Sequence, residues 1–226
     1  MNEIIDLSQE IYEGMPIFKG HPDVKIRVHQ THEKIGQNGN VYPMVNKLEF
    51  GEHTGTHVDA LNHMRAENYG QSIDTMPLSM FYTMGVCLDF SHKTLNELIE
   101  AHELEEACVK QKITIEKGDT VLLYTDHYRK TYGSHDWPHG PGISASATTW
   151  LADKAVAAFG VETRSPGVSG VSNKEVHRIC GERGFTHYEN LINLHLLVGR
   201  GRFRFIGLPL KIRGGTGSPV RAVAVF

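Results

Sequence analysis

The sequence predicts an α/β fold in which a mixed β-sheet with flanking helices forms a single domain over residues 1–226. Three observations carry that expectation. A length of 226 residues suits one domain with a sizeable core. Near-continuous apolar runs at residues 86–90 (Val-Cys-Leu-Asp-Phe) and 120–124 (Thr-Val-Leu-Leu-Tyr) have the character of strands buried on both faces. Amphipathic helical patterns alternate with such runs through the middle of the chain, the order typical of α/β folds. No internal repeat, low-complexity segment or linker breaks the chain.

Taken in order, residues 3–7 read as a short strand, followed by the loop 12–16 and a turn at Gly20-His21-Pro22. Residues 24–28 alternate with period two, which predicts a half-buried strand. Residues 34–41 form a polar loop, and residues 46–50 alternate again and lead into a turn over 51–63. Thr94 is placed to cap a helix over 95–107, with Leu95, Leu98 and Ile99 on one face. Residues 126–142 make a long loop rich in His, Tyr, Trp, Gly and Pro, a length and composition that point to function. Ser144 or Ser146 starts a helix through Ala158, and residues 157–161 lead into a third buried strand broken at Ser165-Pro166-Gly167. Ser172 or Asn173 caps a short helix carrying Val176, His177 and Ile179, ended by Gly181 and Gly184. Residues 185–191, 203–212 and 220–226 are strand-like, the last two on either side of a turn at 214–217.

Composition narrows the function. A net charge of −3 gives no electrostatic case for nucleic acid or an anionic membrane. The alternating arginines of Gly199-Arg200-Gly201-Arg202-Phe203-Arg204 read as the solvent face of a strand rather than a phosphate patch. The N-terminus lacks the basic and apolar regions of a signal peptide, and no stretch approaches the ~20 apolar residues of a membrane span. Three widely spaced cysteines with no CxxC pair fit a reducing cytoplasm, and nothing around Cys108 or Cys180 suggests a nucleophile. Fourteen histidines are the departure from an ordinary composition and raise the case for metal or acid–base chemistry.

Three of them, with one aspartate, fall within eleven residues of Gly51-Glu52-His53-Thr54-Gly55-Thr56-His57-Val58-Asp59-Ala60-Leu61-Asn62-His63. A straight strand would hold the Cα atoms of His53 and His57 roughly 13 Å apart, too far to share an ion with bonds of about 2 Å. A helix would pair His53 with His57 but turn Asp59 away. An irregular tight turn satisfies all three, and Gly55 permits one at low steric cost. Two imidazoles and a carboxylate suit Zn2+ or Mn2+. Without a cysteine, a catalytic site with open positions is favoured over a structural zinc. Two roles compete for His63, a further ligand or the acid–base group. The second is preferred, because the ion already has ligands and the reaction needs a base.

The stretch resembles the HxGTHxDxPxH signature of the metal-dependent cyclase family, which includes bacterial kynurenine formamidases (arylformamidases) and isatin hydrolases. Gly118–Leu123, Pro141–Ser144 with Trp150-Leu151, residues 189–194 and residues 217–222 are similar to further elements of that family, so the resemblance covers the whole chain. It implies the family's swapped β/β/α fold, a homodimer or homotetramer, and a hydrolase cutting a C–N amide bond in a small aryl substrate. It implies His53, His57 and Asp59 as ligands of a first ion, and His63 as the catalytic histidine. It also implies His177 and Glu189 as the distal pair completing a second ion with Asp59 bridging. On the residues alone, His177 would be a helix-surface residue and Glu189 a strand-end carboxylate. A glutamate at 189, where isatin hydrolases have glutamine, favours two ions over one. Leu61 stands where formamidases typically have proline, which leans towards ring opening of a cyclic amide, the isatin-hydrolase reaction. A non-catalytic metal-binding member is a third reading, opposed by an intact His63. Phe18, Tyr42, Phe81, Tyr128 and Trp137 are candidates to wall an aryl pocket, though core packing is the commoner use of each.

Overall fold

The computed structural model describes residues 3–33, 39 and 41–226. Residues 34–38 and 40 of the expected polar loop lie outside the described residues. The first half of the chain contributes β1 (Ile4–Asp6), β2 (Lys25–Gln30), β3 (Val45–Glu49), β4 (His57–Asp59), the single-turn α1 (Leu61–Met64), β5 (Tyr82–Asp89), β6 (Leu98–Ile99) and α2 (Ala101–Gln111). The second contributes β7 (Thr120–Tyr124), α3 (His127–Thr131), β8 (Gly142–Ile143), α4 (Ala145–Asp153), β9 (Ala158–Val161), α5 (Asn173–Arg183), β10 (Thr186–Glu189), β11 (Phe203–Ile206), β12 (Gly217–Pro219) and β13 (Val223–Val225).

Nine of these strands form one sheet in the order β1-β13-β11-β5-β7-β9-β10-β4-β12. β5, β7, β9 and β10 run parallel at its centre, and antiparallel strands extend it at both ends. This is the mixed α/β sheet that the sequence predicts.

The central apolar runs are two-sided, as buried parallel strands require. Val86 and Leu88, Val121 and Leu123, and Phe159 and Val161 pack under α2, α4 and α5. Cys87, Leu122 and Ala158 face the opposite layer, which contains Ile5 and Ala224 from one end of the sheet and Val58 and Ala60 from the other. Both ends meet over this face, so the sheet curls on itself. The amide of Leu7 donates to Ala222, that of Ile192 to Leu7 and that of Val220 to Thr56, at 2.9–3.0 Å. Each fully buried Leu or Phe in these layers stabilises the fold by about 1.5–3 kcal/mol. At this end of the sheet β10, β4 and β12 lie side by side through antiparallel pairing.

Local expectations give way in several places to backbone pairing. Residues 98–99 pair with 142–143 as β6 and β8, so the helix expected at 95–107 begins at Ala101. Its N-cap is Glu100 in a reciprocal capping box with Glu103, not Thr94. The helix from Ser144 ends at Asp153 rather than Ala158. Ala155 takes a positive φ of 54°, its carbonyl accepts from Gly118, and Ala158 opens β9. Gly181 lies within α5, where a Cβ would stand 2.9 Å from Cγ of Arg65, and Gly184 at φ 72° ends the helix. The strand expected over 203–212 stops at Ile206, because Gly207 lies flat against the Tyr188 ring. The turn expected at 214–217 gives way at Gly217 to β12. Among the described residues, β2 and β3 pair only with each other. The strand expected over 24–28 is half-buried only at its start, with Val24 buried and Lys25 and Ile26 intermediate, and β3 is exposed throughout: Val28 and Leu48 are each 56% exposed.

Candidate metal centre

The stretch over 51–63 is a turn for only its first half. Gly55 takes φ 62°, as a tight turn needs, and the chain then enters β4 and α1. β4 pairs with β10 on one side, setting His57 opposite Glu189. With β12 on the other side, Asp59 lies opposite Gly217. Side chains two apart share a face of a strand. His57 and Asp59 therefore project from β4 beside His187 and Glu189 of β10, and α5 adds His177. Asn190 holds the turn to the end of β10, donating to the Gly55 carbonyl at 3.0 Å.

Asp59 lies at the centre. One of its oxygens accepts from Nδ1 of His53 at 2.8 Å and is 3.5 Å from Nε2 of His57. The other lies 3.6 Å from Nε2 of His63, 3.6 Å from Nε2 of His177 and 3.2 Å from Nε2 of His187. Glu189 reaches His57 at 3.4 Å and His187 at 3.3 Å. Two donor groups emerge, His53 with His57 and Asp59, and Asp59 with His177, His187 and Glu189. Within each, the donor atoms lie within 4.8 Å of one another, and Asp59 belongs to both. The structure thus brings all five candidate ligands together, and places His63 beside them but in neither group. His63 stacks on His53 with ring centroids 4.2 Å apart.

Outer contacts fix the rings. His57 donates from Nδ1 to the Gly55 carbonyl at 2.8 Å, and His177 donates from Nδ1 to Asn173 at 2.7 Å, so both present Nε2 to the centre. His187 was not among the sequence candidates. It is fully buried, its Nε2 lies between two carboxylates, and neither ring nitrogen has a hydrogen-bond partner among the described residues. Burying an unpartnered imidazole costs free energy, and a cation between these four donors would relieve it. The residues present therefore fit a divalent ion. The alternation of Thr186-His187-Tyr188-Glu189 was the sequence signal that could have found it.

The charges compensate one another. Burial opposes ionisation of Asp59, but His187, His177 and His53 hold its carboxyl well below its usual range. Glu189, against the same burial penalty, is brought down to about 2 by His187 and His57. Burial disfavours the imidazolium of His57, yet Glu189 and Asp59 draw it up, and the Asp59 charge does the same for buried His187. His63 goes the other way. Burial lowers it to about 4 despite the pull of Asp59, with His53 and His177 adding to the drop. Burial thus favours the neutral imidazole of His63.

A cavity of about 90 Å3 opens onto the cluster, walled in part by Pro16, Ile17, Phe18, His21 and Arg164. Of the five candidate pocket aromatics, Phe18 alone lines it. Phe81 is in the core and Tyr42 is exposed. Trp137 stacks on His127 at 5.2 Å and meets the edge of Tyr128. The segment 126–142 is accordingly not one long loop: it holds α3 and a 3-10 turn packed on their own aromatics. The arginines after Gly199 are structural: Arg202 makes two hydrogen bonds to Asp119 and Arg200 two to Glu3.

The chain is similar to several known proteins. Residues 5–168 match the Cyclase family model. The chain is 28% identical over 225 residues to the kynurenine formamidase of Bacillus thuringiensis (strain Al Hakam), covering 98% of this chain and 97% of that protein. It is 25% identical over 249 residues to the isatin hydrolase of Roseibium aggregatum, covering 99% and 91%. Among solved structures, isatin hydrolase A from Ralstonia solanacearum is similar at a TM-score of 0.86 and 26% identity, covering 99% of this chain and 92% of that one. An isatin hydrolase bound to the product analogue thioisatinate has the same fold, with a TM-score of 0.87 over 100% and 92%.

Proposed function

The chain belongs to the cyclase family, and on that premise we propose that it is a metal-dependent hydrolase of a C–N amide bond in a small aryl substrate. The activity is arylformamidase-like, converting N-formylkynurenine to kynurenine and formate. The observation that carries the reading is the pair of donor groups sharing Asp59, with neutral His63 standing outside both. His53, His57 and Asp59 would hold one divalent ion, and Asp59, His177, Glu189 and the additional His187 a second. Imidazoles and carboxylates without thiolate suit Zn2+ or Mn2+. When bound, such an ion polarises an amide carbonyl and acidifies water.

The chain's own residues do the rest. His63 takes the water proton through its free ring nitrogen and returns it to the departing aryl nitrogen. Phe18 offers an aromatic wall to the ring, and the buried floor of the cluster excludes bulk water. Ring opening of a cyclic aryl amide is the second reading, favoured by Leu61. Free thiols at Cys87, Cys108 and Cys180 are consistent with a reducing cytoplasm. No helix among the described residues is long and apolar enough to cross a membrane. The exposed apolar residues of the β2–β3 hairpin support assembly into a homodimer or homotetramer.

Purified protein should hold one or two divalent ions per chain by elemental analysis, hydrolyse N-formylkynurenine or isatin, and lose activity to a chelator. His63→Ala should lower turnover by roughly 100-fold or more while keeping its ions. Absence of metal would overturn the site, and loss of an ion from the His63 variant would make that residue a ligand.

A further inference from the structure

Arg164 follows β9 by three residues and lines the same cavity as the donor cluster. Unlike Arg200 and Arg202, it makes no hydrogen bond to a side chain and no ion pair among the described residues. Its one close aromatic neighbour is Phe18, with the guanidinium 5.0 Å from the ring centroid. Stacking of that kind steadies a guanidinium while leaving its N–H donors unused. The group is also half-buried, so it has lost part of its hydration without gaining a hydrogen-bonded or charged partner among the described residues, and burial lowers its pKa. An arginine in that state beside a reaction centre has the properties of a ligand-binding group.

Glu189 is near enough to act on Arg164 through its charge, which offers a purely internal role: balancing the carboxylates of the cluster. That role fails on charge counting once the site is loaded. Two divalent ions outweigh the charges of Asp59 and Glu189, leaving the centre cationic. Arg164 then adds positive charge to a positive site, and an anion from outside is what balances it.

We propose that Arg164 is the anion-binding residue of this cavity, the side chain by which the site discriminates substrates that carry a carboxylate from those that do not. This rests on the hydrolase reading above and adds to it a specificity-determining residue. Phe18 positions the guanidinium, whose paired donors engage the carboxylate and set the amide against the ions and His63.

The test compares N-formylkynurenine with its methyl ester, in which the carboxylate charge is removed and one oxygen is capped by a methyl group. With the metal-loaded wild type, kcat/KM should favour the acid. Arg164→Met should lower the acid-to-ester ratio of kcat/KM by about 10- to 100-fold, chiefly through KM, as expected for loss of a hydrogen-bonded charge pair. Arg164→Lys, which keeps the charge but not the fork, should restore part of it. An unchanged ratio, with both substrates falling together or neither falling, overturns the proposal. Should the wild type hydrolyse neither compound, the hydrolase reading fails for this substrate, and calorimetric binding of anthranilate to the metal-loaded protein decides the Arg164 question instead. At least tenfold weaker binding by Arg164→Met supports the anion site, and equal binding overturns it.

Discussion

At the scale of single residues, His187 and Glu162 show how burial turns an ordinary side chain into a specialised one. His187 has no solvent and no hydrogen-bond partner among the described residues, and its Nε2 stands between Asp59 and Glu189. As a fourth donor it would close the second site and leave the His53-His57-Asp59 site more open. His187→Leu, which fills the space without a donor, should weaken one of two bound ions by roughly tenfold or more in a chelator competition and leave the other in place. Two ions held at wild-type affinity would remove His187 from the ligand set. Glu162, just after β9, is also fully buried. One of its oxygens accepts from both the amide and the hydroxyl of Thr125 and from the amide of His127, while the other has no partner among the described residues. Burial raises its pKa from 4.5 to about 7 against those hydrogen bonds. Folded protein therefore keeps a proton that the unfolded chain releases, and stability falls as pH rises from about 4.5 to about 7. The loss is roughly 3 kcal/mol. Glu162→Gln has no proton to release, so its melting temperature should gain on the wild type between pH 5 and pH 8. Parallel curves would show that Glu162 ionises normally.

At the scale of elements, the centre depends on three short neighbouring strands. β12 pairs along β4 with a glycine opposite Asp59, and a Cβ on Gly217 would sit 2.7 Å from Cε1 of His53 and 3.0 Å from the Val58 carbonyl. Gly217→Ala should therefore tilt the His53 ring or part β12 from β4. The expected cost is about 1–3 kcal/mol of stability in denaturant unfolding, with weaker binding of the ion at His53, His57 and Asp59. An alanine variant with unchanged stability and metal affinity would mean the strand shifts freely. The helices are positioned less by their own propensity than by what they cover. α2 starts where the β6–β8 pairing releases the chain, its cap Glu100 standing six residues after the Thr94 cap that its amphipathic pattern suggests. α5 continues through Gly181, where close contact with Arg65 and Asn68 leaves no room for a side chain.

For the whole molecule, the curled sheet joins distant segments: β4 near residue 58, α5 near 177 and β10 near 188 all contribute to one centre. The β2–β3 hairpin is the part that this curl leaves out. Its Val28, Val45 and Leu48 are 44–56% exposed, and a two-stranded ribbon is marginal alone. Pairing with a second chain is the means proposed above for covering it. Leu48→Glu should shift the mass measured by light scattering towards the monomer, and a monomeric wild type would refute that assembly.

The amino-acid sequence by itself determined the fold class, the buried central strands and the density of ligands over residues 53–63. Each of these is written in local spacing: period two, period 3.6, and histidines packed around a glycine able to turn. The resemblance in sequence added His177 and Glu189, which no local pattern distinguished from a helix-surface histidine and a strand-end carboxylate. What only the tertiary structure decided was which distant groups meet. His187 looks like any inward residue of a short strand until antiparallel pairing sets β10 against β4. Arg164 looks like any loop arginine until the fold places it in the wall of the cavity, against Phe18 and with no ion pair among the described residues. Local periodicity records which face of an element is buried, but the identity of the neighbour on that face is fixed by strand order and curvature, which depend on the packing of the whole chain.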